Sequence, residues 1–524
     1  MADIVLATLN ARYIHTAFGL RYLMANLGGL QARAEIAEFD INQRPLEITE
    51  ALLARDPVIV GFGVYIWNVT QTTEVVALLR RLRPELRIIL GGPEVSHETE
   101  GQPIVEMADY VITGEADLRF AELCGQLLGA GDGAASQPKV IHAPLPALDA
   151  VALPYTHYTD TDLSRRVVYV EASRGCPFTC EFCLSSLDVP VRAFPMDRLL
   201  GELERLLERG ARQFKFVDRT FNLSLPSSRA ILEFFLARWV DGMFLHFEMV
   251  PDRLPEALRE LIARFPAGGL QLEVGIQTFD EGTSKNISRR QNVVKLEDNL
   301  RYLRAHTGAH IHADLIVGLP GEGVESFARG FDRLVALQPQ EIQVGILKRL
   351  RGTPIVRHDV EWEMIYSPHP PYEILRNRLF DFATLQRMRR FARAWDLAAN
   401  SGHFTETVRL LWVGEGSPFW SFLRFTDWLA ARHGRLHSIA LVRLAQDLFE
   451  HLTQELCQPF AEVAEVLRRD WGRGAGRERL GFLEEQTPGG TGSKPVRTLR
   501  AKRQSRHAAA EVGGESVPDS PRTV

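Results

Sequence analysis

Cysteine is scarce in this chain, with five residues in 524. So low a count excludes a disulfide framework, and a reducing, cytoplasmic setting is expected. Strong charge of either sign is missing too. The balance is −5 at pH 7, so neither nucleic acid nor an anionic membrane is expected as a partner. No uninterrupted apolar run is long enough to span a bilayer. Asp3 and a strand-like run follow Met1 at once, so no secretory signal is expected. No G-x-G-x-x-G stretch follows the first apolar run, which argues against a dinucleotide-binding loop. What remains is an ordinary globular composition, 45% hydrophobic and 24% charged, with room for about three domains.

Three of the five thiols lie together, in Cys176-Pro177-Phe178-Thr179-Cys180-Glu181-Phe182-Cys183. Thiolates so close on one short loop suit three irons of a [4Fe–4S] cube and leave the fourth iron without a protein ligand. A zinc site would want a fourth close ligand. Cys124 and Cys457 are remote, however, and no His lies within the loop.

Short apolar runs, several ending in Gly, recur at 4–9, 34–40, 58–64, 87–93 and 110–115 with helical segments between them. That rhythm predicts a doubly wound α/β domain over residues 1–145, with its ligand at the carboxyl ends of the strands. A stretch rich in Gly, Ala, Ser and Pro follows from residue 130, and residues 146–160 are expected to be an extended linker. Six strand-plus-helix units then fill 161–356, with strands near 167–171, 214–218, 244–249, 270–277, 311–318 and 342–347. Such units favour parallel strands closing into a barrel, here of six units rather than eight, whose chemistry sits on the carboxyl-terminal rim, and Asp218, Glu248, Gln277 and Asp314 interrupt their strands near that end. His246 and His312, inside strands, read as satisfied interior residues. Residues 357–480 lose the strand pattern and are expected to form an all-α domain over the barrel's open side. The basic stretch 387–395 reads as a solvated helix face. Residues 481–524, poor in large apolar side chains, are expected to be disordered.

Cys-x-x-x-Cys-x-aromatic-Cys is similar to the signature of the radical S-adenosylmethionine (SAM) enzymes. The resemblance implies that Cys176, Cys180 and Cys183 hold the cluster, that SAM chelates the unique iron, and that Phe182 packs near the adenine. It also implies reductive cleavage of SAM to a 5′-deoxyadenosyl radical. The stretches 247–252, 274–280 and 314–321 resemble the oxygen-independent coproporphyrinogen dehydrogenase and methylthiotransferase branches. By that resemblance Glu248, Gln277 and Arg289 line the SAM site, although a strand-end acid equally caps a following helix.

Placed before such a core, the first domain resembles the cobalamin-binding domain of cobalamin-dependent radical SAM enzymes. The match lies in Leu90-Gly91-Gly92-Pro93-Glu94 and Thr113-Gly114-Glu115. It implies that Gly91, Gly92, Pro93, Gly114 and Glu115 meet cobalamin, since a flat corrin approaches backbone only where side chains are absent. His15 lies where some cobalamin proteins carry Asp-x-His-x-x-Gly with the His beneath cobalt. Here Tyr13 replaces the Asp and Gly19 falls one residue late, so a helix-start or loop role for His15 stands beside the ligand role. Tyr65, Trp67 and Asn68 either line the corrin edge or pack at a helix start.

The whole resemblance implies methylation of an unactivated carbon in a small-molecule substrate, with an electron donor such as flavodoxin or ferredoxin. Radical oxidation or rearrangement with cobalamin, and a corrinoid-binding sensor without turnover, are the alternatives. Methylthiolation of RNA or protein is disfavoured, because neither a further cysteine cluster nor a terminal β-domain is visible.

Overall fold

The computed structural model describes residues 2–129, 137–188, 190–414, 416–437, 439–473, 480–484 and 503–512. Its first sheet contains β1 (Ile4–Asn10), β2 (Ala34–Asp40), β3 (Ile59–Gly63), β4 (Arg87–Gly91), β5 (Tyr110–Thr113) and β6 (Val140–His142). All pairings are parallel, in the order β2-β1-β3-β4-β5-β6. Every residue of β1 is buried, as expected of a strand with helices on both faces. Two separate apolar layers cover the sheet, one through Val5, Val60, Ile88 and Val111, the other through Ile4, Leu6, Ile89 and Ile112. Five strands were expected. The sixth comes from the Gly-, Ala-, Ser- and Pro-rich stretch that follows from residue 130, where Val140 and Ile141 pair with β5. Residues 130–136 of that stretch lie outside the described ones.

The second sheet is the partial barrel. Its strands are β7 (Val168–Val170), β10 (Gln213–Phe216), β11 (Phe244–Met249), β12 (Leu270–Gln277), β13 (His310–Val317) and β14 (Glu341–Ile346). They lie in the order β14-β13-β12-β11-β10-β7, all parallel. A short ribbon, β8 (Ser173–Arg174) against β9 (Arg192–Ala193), brackets the cysteine loop.

The region after the barrel is helical except for one ribbon, β15 (Ile365–Tyr366) with β16 (Ile374–Arg376). Helix Phe382–Ala398 packs on β14 and β16. Asn400 Oδ1 accepts the Ile342 N–H at 2.9 Å. The helical part therefore lies along the β14 edge. One continuous core runs from Leu148, Val151 and Leu153 through the barrel to Leu444 and Leu467, so residues 146–160 are a buried strap and no independent core begins at 357. Two stretches of the expected disordered tail are helical, Gly481–Glu484 and Arg503–Val512. His507 is buried, with its Nε2 3.1 Å from the Asn400 carbonyl. The rest of that tail lies outside the described residues. Among the described residues no helix is long and apolar enough to cross a membrane.

A buried ion cluster holds the two sheets together. Arg21 bonds Glu38 at 3.0 Å and Asp162 at 2.9 Å, and Arg166 bonds the same two acids at 2.8 and 3.0 Å. Burial pushes the Glu38 carboxyl up, but hydrogen bonds from Arg166 and the Arg21 charge outweigh it and hold the group at about 2. That lies below the ordinary 4.5, so the contribution is fully present above about pH 4.5 and is lost as pH falls towards 2. Glu38→Gln should cost about 3–5 kcal/mol at neutral pH, because it strands buried cations. It should also flatten the acid loss of stability, as urea unfolding over a pH series would read.

Candidate functional site

The cysteine loop leaves its ribbon through Gly175, at φ +91°, where a Cβ would meet the carbonyls of Pro190 at 2.7 Å and Asp188 at 2.8 Å. Only glycine permits that closure. Cys176 N–H donates to Asp188 O at 3.0 Å and shuts the loop's base. All three thiols line one cavity of about 190 Å³, together with Phe182, Glu248, Gln277 and Arg289. The structure thus brings together every residue assigned to the SAM site. Among the described residues no three His, Cys, Asp or Glu side chains surround a single point as ligands of one metal ion. A four-iron cube asks instead for one thiol per iron. Burial raises the Cys176 and Cys180 thiols, and for Cys180 the Arg289 charge and hydrogen bond oppose that rise.

Strand alternation aims the remaining groups. A bulge between Gly275 and Gln277 turns the end of β12, leaving Gln277 at φ +71°, a strained backbone of the kind that clusters at functional sites. Arg289 Nη1 reaches Cys180 Sγ at 3.5 Å, and its Nη2 donates to the Gly275 carbonyl. Arg219, which sequence reasoning missed, lines the cavity and bonds Glu248 at 3.1 Å. Glu273 also lines it. Burial pushes Glu273 up, yet the His246 hydrogen bond at 2.8 Å and the Lys215 charge hold it at about 2. Asp314 goes the other way: burial, then the charges of Glu273 and Glu248, lift its carboxyl well above the usual range. Asp218 does not line the cavity. It accepts the Ala172 N–H at 2.9 Å and the Ser173 hydroxyl at 2.6 Å, and so supports the ribbon beneath the loop. Burial lifts it to about 6.

A second cavity, of about 210 Å³, opens at the carboxyl ends of the first sheet. Gly91, Gly92, Gly114 and Glu115 line it, as do Gly19, Gly61 and Gly63. Pro93 does not, since it begins a short 3-10 turn. His15 is not brought there either: its Nδ1 lies 2.6 Å from Tyr169 Oη, and the residue bridges to Val167 beside β7. Burial, then the charges of Lys215 and Arg12, lower its pKa. Tyr65 lines the cavity, stacked on Trp67 at 4.4 Å. Asn68 is structural, its amide donating to Thr8, Leu9 and Gly63.

Arg174 ties the glycine cavity to the cysteine loop. Its side chain lines the glycine cavity, and its backbone lies two residues before Cys176. It bonds Glu115 and Asp117 at 2.8 Å and Glu171 at 3.0 Å, while Arg192 pairs with Glu115 as well. Glu115 is therefore an ion-pair partner as well as a lining residue. On the other side, Glu94 receives Arg351 at 2.9 Å and the Tyr372 hydroxyl at 2.6 Å. Both strand-end motifs of the first domain are thus anchored to the second by arginines, Arg174 and Arg192 on one side and Arg351 on the other. Arg174 lies 59 residues from Glu115 and Arg351 lies 257 from Glu94, so no local signal marks these pairs.

Two family models match this geometry, "Radical SAM superfamily" over residues 170–334 and "B12 binding domain" over residues 4–124. The chain thus carries a B12-binding domain followed by a radical SAM domain. A third model, "Protein of unknown function (DUF4080)", matches 360–496. The chain is 24% identical to the "Cobalamin-dependent radical SAM methyltransferase TokK" of Streptomyces tokunonensis, over 57% of its own length and 48% of TokK. It is 25% identical, with the same coverage, to the 2-(S-pantetheinyl)-carbapenam-3-carboxylate methyltransferase of Streptantibioticus cattleyicolor. To the ribosomal protein uS12 methylthiotransferase RimO of Trichlorobacter lovleyi it is 27% identical, over 36% of its chain and 43% of RimO. The chain thus spans about half the length, or less, of these relatives. The radical SAM methyltransferase TsrM of Kitasatospora setae, solved with tryptophan and a SAM analogue, shares its fold at TM-score 0.57 and 15% identity, covering 83% of this chain and 100% of TsrM.

Gly92 makes the glycine cavity's rim testable. At φ +103°, a Cβ there would meet the Val64 carbonyl at 2.5 Å, a backbone contact with nowhere to yield. Gly92→Ala should lower stability by roughly 1–3 kcal/mol, measured by thermal unfolding, whereas Gly101→Ala, open on all sides though also at positive φ, should cost less.

Proposed function

We propose that this protein is a cobalamin-dependent radical SAM enzyme that methylates an unactivated carbon of a small molecule. The observation that carries the reading is a three-thiol cavity in one sheet and a glycine-walled cavity in the other, with Arg174 lining the second and standing two residues before the first thiol. In support, each cavity fits its cofactor. The first offers a thiolate donor set and two buried acceptors, Gln277 Oε1 and Asp314 Oδ1, that have no protein partner among the described residues. The second is a cradle walled by six glycines, where side chains would obstruct a flat macrocycle. When bound, a [4Fe–4S] cluster supplies one electron to SAM, freeing a 5′-deoxyadenosyl radical, and cobalamin supplies the methyl group.

The chain's own residues bind and orient. Cys176, Cys180 and Cys183 hold the cluster. Phe182 packs on the adenine, Glu248 receives a SAM donor group, and Gln277 and Arg289 border the same site. Gly91, Gly92 and Gly114 admit the corrin in a domain reaching to about residue 145, while 161–356 form the radical core. His15 has no place in this scheme, because its imidazole is engaged by Tyr169. A cytoplasmic setting and a flavodoxin- or ferredoxin-like electron donor complete the proposal.

Anaerobic reconstitution with iron, sulfide and hydroxocobalamin tests it. About four irons and one cobalamin per chain are expected, and zinc or no metal at the loop would sink the reading. With reductant and substrate, methylation requires S-adenosylhomocysteine and 5′-deoxyadenosine together, whereas 5′-deoxyadenosine alone would favour oxidation or rearrangement. Glu248→Gln should weaken SAM binding by about 1.5–3 kcal/mol, roughly ten- to a hundredfold in Kd, with iron content unchanged.

A further inference from the structure

Among the residues of the cysteine loop that are neither thiols nor lining groups, one is heavily engaged. Glu181, between Cys180 and Cys183, is 2% exposed. Its Oε2 lies 2.9 Å from His358 Nε2, and its Oε1 receives Arg357 and the Ser288 hydroxyl. His358 Nε2 is also 2.9 Å from the Asn286 carbonyl. Two acceptors lie at 2.9 Å from Nε2 and the Arg357 Nε at 3.4 Å, so the imidazole sits within the same cluster. The backbone doubles the grip. Glu181 N–H donates to Ile287 O at 3.1 Å, and Ile355 N–H donates to Glu181 O at 3.0 Å. Three chain segments, 180–183, 286–289 and 354–358, therefore meet at one carboxylate.

The middle segment has a second task. Ser288, in the left-handed region at φ +53°, immediately precedes Arg289, whose Nη1 reaches Cys180 Sγ. A carboxylate that pins Ser288 thereby sets where Arg289 stands relative to the thiol. An N–H···S hydrogen bond with a cation behind it stabilises the more negative, reduced form of a cluster held by that sulfur, and so raises its midpoint potential. Resting on the iron–sulfur reading of this loop, we propose that Glu181 is a positioning residue that tunes the cluster's potential by holding Arg289 against Cys180. Its charge faces Arg357, His358 and the Ser288 hydroxyl, so it is matched on the spot and serves as a clamp.

Glu181→Asp keeps the charge but shortens the reach by about 1.5 Å, one C–C bond. Ser288→Ala cuts only the arm that leads to Arg289. Both are to be reconstituted and titrated at one fixed pH beside the parent protein, with iron counted and the midpoint read by potentiometry with EPR detection. The expected result is full iron content with a lowered midpoint in each variant, and no further shift when either change is added to Arg289→Met. An unchanged midpoint at full iron content overturns the proposal. So does an equal shift in the presence and absence of Arg289, which would place the effect elsewhere. Loss of iron from both variants would show that the clamp holds the loop rather than Arg289, and also overturns it. If the parent protein itself takes up no four-iron cluster, the underlying functional reading falls instead.

Discussion

Burial of Arg174 among three carboxylates fixes where the two sheets stand relative to one another. Glu115 and Asp117 come from the loop after β5, and Glu171 from the end of β7. All four side chains are at most 15% exposed. Uncompensated, such charges would each cost several kcal/mol to bury. Two arginines, 174 and 192, face three acids there, and the remaining negative charge is the one the site tolerates least. Accordingly Glu171 is pushed up to about 7, by burial first and against the pull of Arg174. The geometry is rigid because any separation of the domains would expose Arg174 to water while leaving acids stranded. Since Gly175 and Cys176 follow Arg174 directly, this same ion cluster sets the spacing between the glycine cavity and the thiol loop.

How much of this was legible beforehand depended on whether the cause was local. The cysteine loop, its position after the first barrel strand, and the parallel runs were readable because spacing and periodicity are local properties. Glu248 and Gln277 meeting the thiols followed from strand ends sharing a rim, whereas Arg289, beyond the helix Glu281–Asn286, was reached only by resemblance. His15 was misleading for a physical reason: the loop after β1 reaches across to the barrel, and Tyr169, 154 residues on, claims the imidazole. Glu115 was placed at the right cavity without its arginines. The C-terminal tail looked disordered because Arg503–Val512 has few large apolar side chains. It is held instead by polar contacts that only the fold supplies: Arg503 with Glu341 at 3.1 Å, and Gln504 with Gln271 at 2.8 Å.

Those contacts belong to a wider pattern in the barrel. Along its strands Phe214, Phe216, Leu245, Phe247, Leu272 and Val274 turn outward into the helical layer, and the alternate positions are polar. Lys215 and His246 both reach Glu273, while His312 lies beside Asp314 at 3.6 Å. The foot of the strands carries Gln271, His310 and Glu341, each met by the helix Arg503–Val512. A lumen filled this way is costly to desolvate, and it persists only because nearly every charge has a partner. It departs from the layers of branched apolar residues usual in complete barrels. The departure is greatest towards the rim, where Glu273 and Asp314 face the cavity.

At that rim the pairing stops. Gln277 Oε1 and Asp314 Oδ1 are buried and have no hydrogen-bond partner among the described residues, and the nearest imidazole nitrogen, at 3.6 Å, is beyond bonding distance of Asp314. Each such atom costs about 1–3 kcal/mol unless a donor reaches it. His312 Nε2 is unpartnered among those residues too, so the unpaired groups gather on the adjacent strands β12 and β13. A ligand bringing N–H or O–H groups would recover the cost at the two acceptors, which makes the cavity complementary to a hydrogen-bond donor rather than to an apolar body. The strained backbone of Gln277 has the same logic, since the bulge that creates it is what aims an amide oxygen inward. Stability is given up at the place where binding can return it.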